Sequence, residues 1–223
     1  MEFSDLGEVA VRLDCVDKRY GDVIAVDGVS LDFRAGEFTA LVGRSGCGKS
    51  TLLNLCGAMD FPTSGTVEIG GECTSRMDDA ALTRIRRTKI GFVFQFFQLL
   101  PTLTAIENVE LPALLAGASQ PRPRAAELLH WVEIGELGAR FPHQLSGGQL
   151  QRVAIARALI NSPRVILADE PIGNLDTATG KVVLETLRRA ARERGAAVVM
   201  ATHSAESLQY CDRVVKMRDG KIE

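Results

Sequence analysis

Apolar residues along this chain fall into short blocks of two kinds. Val9 to Leu13 alternates apolar and polar positions, as a half-buried strand does. After the break at Tyr20-Gly21, Val23 to Phe33 resumes strand-like patterning, so the two segments predict a small antiparallel sheet. Phe38-Thr39-Ala40-Leu41-Val42, Ile90-Gly91-Phe92-Val93-Phe94, Val165-Ile166-Leu167-Ala168 and Ala197 to Ala201 are instead nearly continuous apolar runs, the pattern of strands buried on both faces. Val67 and Ile69 alternate between Gly65 and Gly70-Gly71, which reads as turn, strand, turn. Val214 to Met217, Asp219-Gly220 and Ile222 predict a closing hairpin.

Helical spacing separates these runs. Leu52, Leu53, Leu55 and Cys56 form one apolar side. Asp78 can cap a helix carrying Leu82 and Ile85, whose Arg84, Arg86 and Arg87 read as a solvated face. Thr104 to Leu115 and Ala125 to Val132 read as helices joined by the linker Gln120-Pro121-Arg122-Pro123-Arg124. Ser146 with Gln149 is a capping box that starts a helix to about Ile160, ended by Asn161-Ser162-Pro163. Lys181 to Arg194 is amphipathic, with Val182, Val183, Leu184 and Leu187 inward and Arg188, Arg189, Arg192 and Arg194 outward. Strands alternating with helices imply an α/β fold with a mainly parallel sheet.

One stretch gives that fold its chemistry. Gly43-Arg44-Ser45-Gly46-Cys47-Gly48-Lys49-Ser50-Thr51 fits G-x-x-x-x-G-K-[ST] and lies between a buried strand and a helix, the context a phosphate loop needs. Its glycines let peptide N–H groups close around a polyphosphate at the positive end of the new helix. Lys49 is placed to reach the β- and γ-phosphates, and Ser50 to offer a hydroxyl to Mg²⁺. Asp169-Glu170 ends an apolar strand, and a carboxylate at that end lies beside the phosphate loop in a doubly wound sheet. Asp169 can therefore hold Mg²⁺, and Glu170 can act on the attacking water. His203, at the end of another strand, reaches the same rim and can face the γ-phosphate. Cys47 sits at a helix N-terminus, where a thiol is expected to react with alkylating agents. Tyr20, one of two tyrosines, either stacks on a base or packs a turn. Phe96, Phe97, Leu99, Leu100 and Pro101 either fill core under a loop or form an exposed patch for a partner.

Composition narrows the alternatives. With 223 residues, 46% hydrophobic and 24% charged, the chain can bury a sizeable core as one large domain or two closely packed ones. A net charge of −2 gives no reason to expect nucleic acid as an electrostatic partner. No apolar run approaches the ~20 residues of a membrane span. Glu2, Asp5 and Glu8 do not suit a secretory signal. Cys15, Cys47, Cys56, Cys73 and Cys211 are scattered and odd in number, which predicts reduced thiols in a cytoplasmic compartment.

Taken together the motifs resemble the ATP-binding subunits of the ABC transporter superfamily over nearly the whole chain. The specific marker is Leu145-Ser146-Gly147-Gly148-Gln149, followed by Gln151-Arg152 and placed upstream of the strand that runs into Asp169-Glu170. The resemblance implies a P-loop NTPase (RecA-like) core with an N-terminal antiparallel β subdomain, and one ATP-binding domain spanning 1–223. A helical subdomain, about 96–160, is inserted in that core. It implies that Tyr20 stacks on adenine, that Gln95 senses Mg²⁺ and the membrane partner, and that Gly173-Asn174-Leu175-Asp176 crosses a dimer. It also implies that His203 is a switch. Two copies would pair head to tail around two ATP molecules, with Ser146, Gly147, Gly148 and Gln149 of one copy completing the site of the other. The implied partner is an integral membrane permease, which places the chain peripherally on the cytoplasmic face of the inner membrane.

Four segments are similar to the lipoprotein-release and macrolide-export subgroup: Ile90 to Gln95, Leu99 to Ala105, Glu107 to Pro112 and Glu170 to Asp176. On that likeness Phe96 to Leu103 lines a groove for a coupling helix. Ile172 and Leu150 depart from the subgroup's usual residues, at positions without phosphate contacts. A soluble ABC ATPase of DNA repair or translation is the competing class. Such proteins usually carry a long coiled-coil insertion or two cassettes, and this chain has one cassette and a short helical insert.

Overall fold

The computed structural model describes residues 7–223, so Glu2 and Asp5 lie outside the described residues. The elements run β1 (Val9–Tyr20), β2 (Val23–Arg34), β3 (Phe38–Val42), α1 (Lys49–Cys56), β4 (Ser64–Ile69), β5 (Glu72–Cys73), α2 (Asp79–Lys89) and β6 (Ile90–Phe94). They continue through α3 (Ala105–Leu115), α4 (Arg122–Trp131), α5 (Gly147–Leu159), β7 (Val165–Asp169), α6 (Thr177–Arg194), β8 (Ala197–Thr202), β9 (Arg213–Arg218) and β10 (Lys221–Ile222).

Two sheets form. One is antiparallel, in the order β2-β1-β4-β5; the other has the order β10-β9-β3-β8-β7-β6 and is parallel except for the final hairpin strand. Alternation along the buried strands sends side chains to two separate cores. Phe38, Ala40, Ile166, Ala168, Val198 and Met200 face α3, α4, α5 and α6. Leu41, Val165, Leu167, Val199 and Ala201 face α1, α2 and the antiparallel sheet. The helices of the 96–160 segment share the first of these cores with the sheet: Val109, Leu128 and Leu129 belong to the same buried cluster as Ile166. Truncating one such leucine to alanine costs about 2–5 kcal/mol, because the cavity left behind cannot fully collapse.

The parallel order decides where function can sit. The carboxyl ends of β3, β6, β7 and β8 all open on one rim, where a doubly wound sheet binds its ligand.

Several boundaries moved. α6 begins at Thr177 and not at Lys181, because the Asp176 carboxylate accepts from Thr179 N at 3.0 Å and caps the helix earlier. Val182, read as inward, is 44% exposed. Part of the proline linker is already helix, since α4 starts at Arg122 with proline in its first turn. Phe96 and Leu100 are exposed, while Leu99 packs on the core. The buried Asn108 side chain shapes this loop, bonding Leu100 N and the carbonyls of Leu100, Leu103 and Thr104.

Candidate active site

A cavity of about 860 Å³ occupies the rim. Ser45, Gly46 and Gly48 line it from the loop between β3 and α1, and Lys49, Ser50 and Thr51 from the first turn of α1. Gln95, Asp169, Glu170 and His203 enter from the ends of β6, β7 and β8, and Val23, Ile24 and Ala25 from β2. The loop's glycines are fixed by space as well as by backbone angle. Gly48 has φ +106, and a Cβ there would lie 2.2 Å from Ala25 O. A Cβ on Gly43 would lie 2.2 Å from Met217 O.

Gly43, Arg44 and Cys47 line a different cavity, shared with Lys216, Met217 and Arg218. Their backbones still matter to the site, because Lys49 Nζ donates to Gly43 O at 2.9 Å and to Arg44 O at 3.0 Å. The Cys47 thiol is buried, 6% exposed, so rapid alkylation is not expected of it. All five cysteines are free.

Ser50 Oγ donates to Asp169 Oδ2 at 3.2 Å. Burial raises the Asp169 pKa above the usual aspartate value, and the neighbouring Glu170 adds to this; the Ser50 hydrogen bond and Lys49 oppose it without cancelling it. Glu170 stands at φ +46, an uncommon conformation for a side-chain-bearing residue, and its Oε1 lies 2.7 Å from His203 Nδ1. That turn swings Glu170 away from Asp169, so two adjacent carboxylates take different positions. Gln95 Nε2 donates to Asn174 Oδ1 at 3.3 Å, and Asn174 Nδ2 returns a bond to Gln95 O at 3.2 Å.

The second motif lies elsewhere. Ser146 caps α5: its Oγ accepts from Gln149 N at 3.4 Å, and Gln149 Oε1 accepts from Ser146 N at 2.8 Å. Ser146, Gly148 and Gln149 line a separate pocket beside Thr179 and Val182, and Gly147 packs near Leu175. None of these four residues lines the main cavity. Asp176 is spent on its own helix, accepting also from Thr179 Oγ1 at 2.6 Å. Tyr20 is 48% exposed and does not line the cavity either, although its cross-strand partner Val23 does.

Three residues escaped sequence reading. Val23 and Ile24 were strand positions only; their signal is two adjacent apolar residues directly after a turn. Gln151 was a family marker without a task. It is fully buried, and its Nε2 donates to Phe94 O at 3.2 Å and Pro171 O at 2.8 Å, joining α5 to the residues beside Gln95 and Glu170.

The ABC transporter family model matches residues 26–173, well over half of the chain, and covers the phosphate loop, the capping box of α5 and Asp169-Glu170. The chain belongs to the ABC transporter family. It is an ATP-binding cassette ATPase of that family. Among its relatives is the macrolide export ATP-binding/permease protein MacB of Brucella melitensis, 47% identical over 97% of this chain; the chain spans 34% of that protein's length. The lipoprotein-releasing system ATP-binding protein LolD of Geobacter metallireducens is 49% identical, over 92% of this chain and 94% of that one. The resemblance to the lipoprotein-release and macrolide-export subgroup therefore holds. MJ0796 of Methanocaldococcus jannaschii has a dimeric post-hydrolysis structure bound to ADP and Pi. That structure matches with a TM-score of 0.85 at 45% identity, covering 96% of each chain.

Proposed function

We propose that this ATPase drives a membrane-embedded permease by closing two copies, head to tail, around two ATP molecules. The observation that carries the reading is the division of the site. The phosphate cradle, the carboxylates and His203 share one cavity, while the Ser146 helix start faces a different pocket. The N-terminus of α5 offers N–H groups and a positive dipole, which suit a γ-phosphate presented by a second copy. Asp176, at the start of α6, belongs to the segment that meets the other copy.

Within one copy the roles follow from position. Lys49 exchanges its two carbonyl partners for the β- and γ-phosphates. Glu170 takes the proton from the attacking water, and His203 holds Glu170 through their hydrogen bond and faces the γ-phosphate. Val23 and Ile24 give the base an apolar floor, and Tyr20 stacks on adenine. Ser50, Asp169 and Gln95 present hard oxygen donors, the set that Mg²⁺ takes alongside water and phosphate oxygens. Bound there, Mg²⁺ supplies charge neutralisation to the β- and γ-oxygens.

The 96–160 segment acts as one lever. A groove on it, lined by Phe92, Leu111, the exposed Leu115 and Arg157, receives a coupling helix of the permease, while Phe96 lines the nucleotide cavity instead. The chain then works as a peripheral subunit on the cytoplasmic face of the inner membrane, in export, lipoprotein release or mechanotransmission. The test is purification from detergent-solubilised membranes. An integral membrane protein should co-purify with the chain and be lost with Leu115→Asp, while nucleotide binding persists. Purification of the unaltered chain with nucleic acid, or without any membrane protein, would contradict the reading.

A further inference from the structure

Tyr20 is held in a way that no motif announces. Its hydroxyl donates to Asp60 Oδ2 at 2.5 Å. The other oxygen of Asp60 accepts from Lys18 Nζ at 2.5 Å, and the same ammonium lies 4.8 Å from the centroid of the Tyr20 ring. One ion pair therefore grips the phenol at its hydroxyl and covers one of its faces. The pair is itself well seated: the Lys18 side chain is 12% exposed and that of Asp60 25%. Burial opposes ionisation of Asp60, but Lys18, Tyr20 and the Phe61 N–H together hold its pKa below the usual aspartate value.

The grip reaches the phosphate loop. Asp60 lies in the turn that follows α1, the helix Lys49 begins. That turn is laced to the end of β1: Lys18 Nζ donates to Phe61 O, Thr63 N to Asp17 O, and Arg19 N to Thr63 Oγ1. The aromatic at the end of β1 is thus moored to the element that carries the phosphate-binding lysine.

We propose that Lys18 and Asp60 are positioning residues for the nucleotide base, fixing the Tyr20 ring with one face under the ammonium and the other left for adenine. The inference rests on the reading of Tyr20 as the adenine platform. A ring held in one orientation loses no rotamer freedom when the base arrives, so the pair acts on ATP affinity and leaves the chemical step alone. The cation polarises the covered face, and the carboxylate fixes the ring plane.

The test is steady-state ATPase kinetics of the full chain, with inorganic tripolyphosphate as a competitive probe that has no base. Tyr20→Ala should raise KM for ATP by about tenfold at constant kcat, since losing a base–aromatic stack weakens binding by roughly that factor. Tyr20→Phe, Asp60→Asn and Lys18→Met should each raise it about threefold to fivefold, the range of a cation–π or charge-assisted contact. Lys18→Met should add nothing in the Tyr20→Ala background, Lys18→Arg should restore KM, and tripolyphosphate inhibition should not change in any variant. If Tyr20→Ala raises KM but Lys18→Met and Asp60→Asn do not, the positioning role is refuted while the adenine reading stands. An unchanged KM in Tyr20→Ala refutes the adenine reading itself. Equal weakening of ATP and tripolyphosphate would show general damage to the loop and overturn the proposal.

Discussion

At one end of the cavity, peptide groups, strand ends and close-packed glycines place Lys49, Ser50, Asp169 and Glu170, and the exposed His203 is held against Glu170. Gly48 has no room for a Cβ, Ser50 already meets Asp169, and Glu170 already meets His203. At the other end, Val23 and Ile24 are exposed at the start of β2, and the nearby Tyr20 is oriented by Lys18, two residues away, and by Asp60, 40 residues away in sequence. The first end is rigid backbone geometry, and the second is side-chain packing on the antiparallel sheet. Damage to the first should therefore strike turnover or all phosphate binding, whereas damage to the second should strike affinity for the base alone.

The largest effect is expected at Glu170. Glu170→Gln should lower kcat by roughly 10²–10⁴-fold, the usual contribution of a general base. ATP affinity should survive, and an ATP-bound dimer should accumulate, visible by size-exclusion chromatography. Wild-type turnover in this variant would show that another group activates the water. Next in size is Gly48→Ala, which forces a left-handed conformation and a clash with Ala25 O. A cost of about 1–3 kcal/mol for the strain predicts a loss of affinity of roughly fivefold to 150-fold for both ATP and tripolyphosphate by calorimetry. At the base end, Ile24→Ser removes part of an apolar floor worth about 1 kcal/mol. KM for ATP should rise about fivefold with kcat and tripolyphosphate inhibition unchanged; a fall in kcat would erase the contrast between the two ends.

The smallest effect is one of stability. The folded-state pKa of Asp169 is raised above its ordinary value, mainly by burial. A raised pKa means the fold favours the protonated acid, so its stabilisation is fully present below the ordinary value and lost as pH rises through the folded one. Asp169→Asn, inactive in hydrolysis, should therefore melt slightly above the wild type at neutral pH. The gap should close as the medium becomes acidic, as thermal unfolding followed by circular dichroism will show.

The same contrast explains what could be read without coordinates. β3, β6, β7 and β8 were legible because strands buried on both faces leave unbroken apolar runs, and these strands carry Lys49, Gln95, Asp169, Glu170 and His203 to one rim. The Ser146 helix start was legible because its capping box is local. β1 proved longer than its alternation suggested, because register shifts near Cys15 and Val16 break the period of two, whereas β2 matched its reading to within one residue. Cys15 stands at φ +45, where side-chain-bearing residues are uncommon. The Asp176 cap was hidden by a family role assigned to the same residue. Neither the Tyr20–Asp60–Lys18 cluster nor the Gln151 bridge could be read, since each depends on contacts between segments far apart in the chain. No spacing rule encodes such contacts.

The division of the active site between two copies is tested most directly by mixing two disabled variants. On the proposed division, Glu170→Gln removes the base and Ser146→Arg blocks the helix start offered to the partner's nucleotide, so each alone should be nearly inactive. In a head-to-tail pair of the two, one site carries both defects and the other carries neither. ATP hydrolysis should therefore appear on mixing, well above the sum of the separate activities. A mixture that never exceeds that sum, at concentrations where the two proteins demonstrably pair, would contradict the shared site.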